Sequence, residues 1–226
     1  VTSKNANSSK RGMVMVKRGT KVLCFVKIWL VFFVYSLVLF PSLSIATSIR
    51  AVTFEELVQY SEFVFEGRVI AVESVIPINR HIPHTCVLFE ISEVFKGIHS
   101  DDTIELCFLG GITGEYTVQI SNMQYPKLDE KGIYFVKSLS SQYANPLYGW
   151  KQGHFLIETD PHTSKEHVMT ADRQSVTGIT MEEEPPFGLS TDVAIGVKTT
   201  DRLQMEKSWT VNEFKQNLRS MLKAVK

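Results

Sequence analysis

Asp160, His162, Glu166 and His167 fall within eight residues, and His81 and His84 stand three apart. Imidazole and carboxylate are zinc ligands, yet the spacing from His162 to His167 matches no common ligand motif. Polar loop and hairpin positions account for both sets, so no metal site is assigned. A His-Glu-x-x-His helix is missing from the chain, so it is not itself a zincin-type protease. Gly110-Gly111-Ile112-Thr113-Gly114 has the glycines of a phosphate loop but neither its lysine nor a following helix, and reads as a turn. Glu90, Glu93, Asp101, Asp102 and Glu105 are numerous enough for acid–base work on sugars, but alternation sends Glu90 and Glu105 toward solvent. There is no Gly-x-Ser-x-Gly elbow. Catalytic residues and cofactors are therefore both assigned as none, and the chain reads as a non-enzyme.

Cys86 and Cys107 lie on expected strands, facing away from the apolar residues, with no adjoining helix start to acidify a thiol. A hairpin turning about residues 96–102 would set them roughly five residues out of register. At about 3.3 Å per residue that is about 16 Å, against a limit near 7 Å between bonded Cα atoms. No strong disulfide is expected on that register, although another strand order would bring the two together. A binding surface has better candidates. Tyr143, Tyr148 and Trp150 cluster beside Asn145-Pro146, and aromatic rings serve either a recognition patch or the packing of a barrel end.

These side chains must be carried by short strands. Phe65, Gly67, Val69 and Ala71 alternate with Glu66 and Arg68, as a half-buried strand requires, and Gly67 on the inner side marks a bend. Thr85–Phe95, Thr103–Leu109 and a weaker 115–120 follow. Beyond them come Ile133–Val136, Gly153–Glu158 and Glu166–Asp172. Thr53 with Glu56 and Thr210 with Glu213 are capping boxes, predicting a short helix from 54 and an amphipathic helix closing the chain. The expected domains are a signal segment over 1–46 and a barrel over 47–177. An extended arm over 178–208 and a helix packed on the barrel over 209–226 complete the chain.

Four pieces of this order are familiar: Phe65-Glu66-Gly67-Arg68-Val69, Phe89 to Gly97, Gly110-Gly111, and Gln152-Gly153-His154-Phe155. Together they resemble secreted bacterial proteins whose barrel is like that of the tissue inhibitors of metalloproteinases and the netrin modules. The resemblance implies an all-β fold, a small OB-like Greek-key barrel of five strands flanked by the two helices. It also implies a protein partner, an extracellular metalloprotease that the module would inhibit or escort. The animal inhibitors chelate zinc through an N-terminal cysteine. Here the expected mature terminus is Thr47 and the next cysteine is Cys86, so that mechanism does not carry over. Two alternatives remain: a small secreted hydrolase using carboxylates or a bound metal, and an oligosaccharide-binding module on the Tyr148–Trp150 side.

Charge and hydropathy set the compartment. The chain has 226 residues with 24 basic and 24 acidic side chains, but residues 1–46 hold seven of the basic groups and no acid. The remainder carries a net charge of −7, which excludes a phosphate-binding surface for nucleic acid. Lys27 is followed by the uncharged run Ile28–Phe40, shorter than the roughly 20 residues of a membrane-crossing helix, then Pro41 and Ser44-Ile45-Ala46. This order predicts a secretory signal cleaved after Ala46 and a secreted or periplasmic protein, with membrane contact only if the segment stays uncleaved. N-terminal sequencing of exported protein should begin at Thr47; a membrane-bound chain still holding Trp29 overturns this.

Overall fold

The structure, a computed structural model, describes residues 49–78, 81–114, 116–181 and 192–225. These belong to one unit, Thr47–Lys226; the expected signal segment and the Glu182–Pro186 stretch lie outside the described residues. Both capping boxes form. Thr53 Oγ1 accepts the Glu56 N–H at 3.0 Å while the Glu56 carboxylate accepts the Thr53 N–H at 2.9 Å, starting α1 (Phe54–Tyr60). Thr210 and Glu213 repeat the arrangement at the start of α2 (Val211–Ala224).

The strands are β1 (Phe63–Val75), β2 (His84–Lys96), β3 (Thr103–Leu109), β4 (Gly111–Thr113) and β5 (Tyr116–Val118). After them come β6 (Lys131–Val136), β7 (His154–Thr159), β8 (Glu166–Thr170), β9 (Ser175–Ile179) and β10 (Val197–Thr200). β4 and β5 form a separate hairpin. The other eight make one antiparallel sheet in the order β10-β9-β8-β7-β6-β1-β2-β3. The expected closed barrel is therefore not formed. β6 returns to the far side of β1, and the chain then adds strands outward from it, so β3 and β10 remain separate edges. The stretch 178–208 contributes β10, which pairs with β9, and a 3-10 turn over Arg202–Lys207. Ile195 also bonds beside Thr53, its N–H donating to Val52 O at 2.8 Å. Four residues, three half-buried and Lys198 exposed, are too few to show a period, which is why β10 leaves no pattern in the sequence.

Both faces of the sheet are covered. Val64, Ile133, Phe135 and Phe155 pack beneath the helices with Phe54, Leu57, Phe214 and Leu218. Phe54 sits edge-on to Phe135, Phe155 and Phe214, with centroids 5.7, 5.8 and 5.7 Å away. Phe63, Phe65, Tyr134 and Val136 face the other way and join Val87, Phe89, Leu106 and Phe108 in a second core. Glu66, whose alternation with Arg68 suggested a solvent-facing side chain, is buried under α2. It is kept there by Lys215 and by Lys131 at 3.3 Å. Burial of this charge is tolerable because two cations accompany it.

The cysteines, expected to be too far out of register to bond, are in fact joined. Cys86 and Cys107 are directly opposite one another and form a disulfide, with Cα atoms 4.0 Å apart. β2 pairs with β1 along its whole length but with β3 only from His84 to Glu90, so its last six residues run beyond β3. The turn therefore spans 91–102, and the five-residue offset disappears. Ile91 N–H donates to Asp102 O and Gly110 N–H to Pro83 O, which places Cys86 and Cys107 at a non-hydrogen-bonded pair, the closer of the two kinds. Closing a loop of this length is worth about 3 kcal/mol through the unfolded chain.

Gly67 lies where β1 shifts register. A Cβ there would stand 2.8 Å from Glu90 O and 2.8 Å from a Phe65 ring carbon. Gly67→Val is therefore expected to destabilise by ~1–3 kcal/mol through overpacking. Thermal unfolding reads this directly, and an unchanged Tm would refute the bend.

Candidate functional site

The turn before β7 builds a cleft of about 430 Å³ whose walls include Tyr143, Tyr148 and Trp150. All three sequence-predicted binding residues are brought together there. Tyr143 is 37% exposed and lies under the Lys137 ammonium, 4.0 Å from its ring centre; Tyr148 stacks on Tyr60 at 6.2 Å. Burial raises the Tyr148 hydroxyl pKa above its ordinary value, Glu56 adds to this, and Arg50 opposes it. Asn145 is buried and fixes the turn, its side-chain oxygen accepting the Leu147 N–H at 2.9 Å.

Gln152 ties the N-terminal segment to this cleft. Its Oε1 accepts the Val52 N–H at 2.9 Å, and its Nε2 donates to Arg50 O and Gly149 O, both at 3.0 Å. Ile49 and Arg50 thereby become part of the cleft wall. Sequence reasoning missed them, because nothing local marks a segment held from a hundred residues away. Gly149 and Trp150 both lie in the left-handed region, at φ +67° and +60°. A glycine adopts that backbone freely, whereas a tryptophan there costs about 1–2 kcal/mol.

A second cleft, of about 590 Å³, opens above the start of β7 and includes Tyr125, Lys127, Glu130, His154 and Arg173. At its floor His154 Nε2 lies 3.0 Å from Glu130 Oε1, and the His154 ring stacks on Tyr134 at 4.9 Å. Burial, and then the Glu130 carboxylate, push the Tyr134 hydroxyl well above its usual range. His154 stood in the sequence only as part of a motif; its pairing with Glu130 joins separate elements and has no local signature.

The metal candidates take structural places. Asp160 accepts the His162 N–H at 2.8 Å and the Thr163 hydroxyl at 2.7 Å, closing a turn. His167 Nδ1 lies 2.8 Å from Ser208 Oγ, against the segment entering α2. His84 Nδ1 lies 3.0 Å from Ile82 O. Among the described residues, the side chains that converge with metal-ligand chemistry are Cys86, Glu105 and Cys107. Of the carboxylates, Glu90 pairs with Arg68 at 3.0 Å in the open, while Glu93 pairs with Arg219 and Lys215 beneath α2.

Three carboxyls sit below their ordinary range. Burial works against Glu93, but Arg219 and Lys215 outweigh it and hold it below 4.5. The Thr210 hydroxyl and backbone N–H hold Glu213 below 4.5, and the His162 N–H and Thr163 hydroxyl hold Asp160 below 3.8. A carboxyl depressed by folding takes up its proton first in the unfolded chain. Its stabilisation is present above the unfolded pKa and is lost as pH falls through the folded one. Tm should therefore fall on acidification from about pH 6 to about pH 3, and Glu93→Gln should flatten the slope. Equal slopes in both proteins would refute the assignment. No protein-family model matches this chain, and neither a curated protein nor a solved structure matches it.

Proposed function

We propose that the chain is a secreted or periplasmic, non-enzymatic protein-binding module whose contact surface is the cleft of Tyr143, Tyr148 and Trp150. The observation that carries this is Trp150. A bulky, half-buried aromatic is held at φ +60° on the wall of an open cleft. Backbone strain of this kind persists where the position of the side chain matters. Buried aromatics dominate interface energetics once a partner covers them. The partner class, an extracellular metalloprotease to be inhibited or escorted, rests on the family resemblance. The return of β6 beside β1, giving the order β6-β1-β2-β3, supports the same kinship with Greek-key barrels. Blockade without a terminal cysteine would come from this cleft occupying a groove of the protease. The disulfide accords with an oxidising compartment, and no helix among the described residues is long and apolar enough to cross a membrane.

A second reading, a small secreted hydrolase, rests on the Glu130–His154 pair at the floor of the other cleft. A broad hydrolase screen of purified protein separates it from the first.

Trp150→Gly tests the binding reading without confounding it with folding. Glycine relieves the left-handed strain, which offsets part of the lost packing. The variant should keep its sheet signal in circular dichroism and a Tm near that of the parent. Its affinity for a secreted zinc metalloprotease, read by calorimetry, should fall by more than ~1 kcal/mol. Normal binding by a folded variant would overturn the role of the cleft.

A further inference from the structure

We propose that Cys86, Cys107 and Glu105 form a redox-gated site for a thiophilic divalent cation such as zinc. The disulfide joins two strands that already pair directly, so it adds no new connection to the fold. It lies in neither core cluster: Val87, Phe89, Leu106 and Phe108 fill the inner face, and the cysteines take the opposite one, where Cys86 is buried and Cys107 half-buried. A chain of this size with two hydrophobic cores does not need a covalent staple. Cys107 is half-buried on β3, the edge strand, where a reductant can reach it. Glu105 stands two residues away on the same face, its Oε2 3.7 Å from Cys107 Sγ.

A dithiol reductant delivers two electrons and two protons. The Cys86–Cys107 bond breaks, two thiols form, and the reductant closes to its own cyclic disulfide. A zinc ion then displaces both thiol protons to solvent and gains two sulfur ligands, with the Glu105 carboxylate as the third. Two thiolates and a carboxylate suit zinc, which accepts three protein ligands with water in the fourth position. The oxidised chain cannot bind, because both sulfurs are committed to each other. The site is independent of the aromatic cleft and of whatever binds there.

The test uses the full chain carrying Cys24→Ser, reduced with a phosphine and freed of excess reagent. Cadmium or zinc alone is then added. Native mass spectrometry should show one metal per chain with loss of two protons, and cadmium should give a thiolate charge-transfer band. The oxidised chain should give neither. Zinc should raise the Tm of the reduced protein, because it binds the folded state. Glu105→Gln should weaken binding by about tenfold or more. Absence of uptake by the reduced chain overturns the proposal. So does loss of its sheet signal before metal is added, since the ligands are assembled only by the paired strands. Unchanged affinity in Glu105→Gln overturns the three-ligand set.

Discussion

The pairing of β1 and β6 at two facing glycines is the constraint on which the remaining structure depends. Gly67 and Gly132 are direct partners across the strand pair. A Cβ on Gly132 would stand 2.6 Å from Phe155 O, as one on Gly67 would collide with Glu90 O and the Phe65 ring. The missing side chains let the flanking strands' backbone and the Phe65 ring approach closely at this pair. Around that point β1 and β6 alternate strictly, sending Val64, Ile133 and Phe135 to one core and Phe63, Phe65, Tyr134 and Val136 to the other. One strand pair thus serves as the shared wall of both.

The same strand pair places the charges. Glu66 next to Gly67 faces α2 and meets Lys215, while Lys131 next to Gly132 reaches both Glu66 and Glu166, the latter at 2.9 Å. Glu93 on β2 completes the contact with Lys215 and Arg219. The C-terminal helix is therefore set by an apolar stripe and by a fixed arrangement of ions, which selects one seating among the many that the stripe alone permits. Its apolar side closes on Phe54, and α1 in turn leads back to the segment that Gln152 holds against the aromatic cleft.

Local signals were legible and distant ones were not. The two capping boxes gave α1 and the start of α2, and alternation gave β3 residue for residue, because these depend on neighbours within a few positions. Tyr143, Tyr148 and Trp150 are close in sequence, so their convergence could be anticipated. The disulfide could not, since its register depends on where β3 leaves β2, which runs on past Glu90 along β1 alone. Burial of Glu66 was hidden for a similar reason: its partner Lys215 belongs to a helix at the far end of the chain. β9 and β10 are short and only partly buried, so composition and period both fall silent there.

Among the described residues the open sheet, unlike a closed barrel, ends at two edge strands, and this has a consequence for self-association. Unpaired strand backbones recruit other strands unless they are short, charged or covered. β10 has four residues and exposes Lys198 near its middle. On the other side, β3 exposes Glu105, and its Leu109 N–H is already taken by Ala144 O at 2.7 Å. An incoming strand would have to strand a lysine at one edge and displace a loop at the other. The chain can therefore extend its sheet to eight strands and still stop.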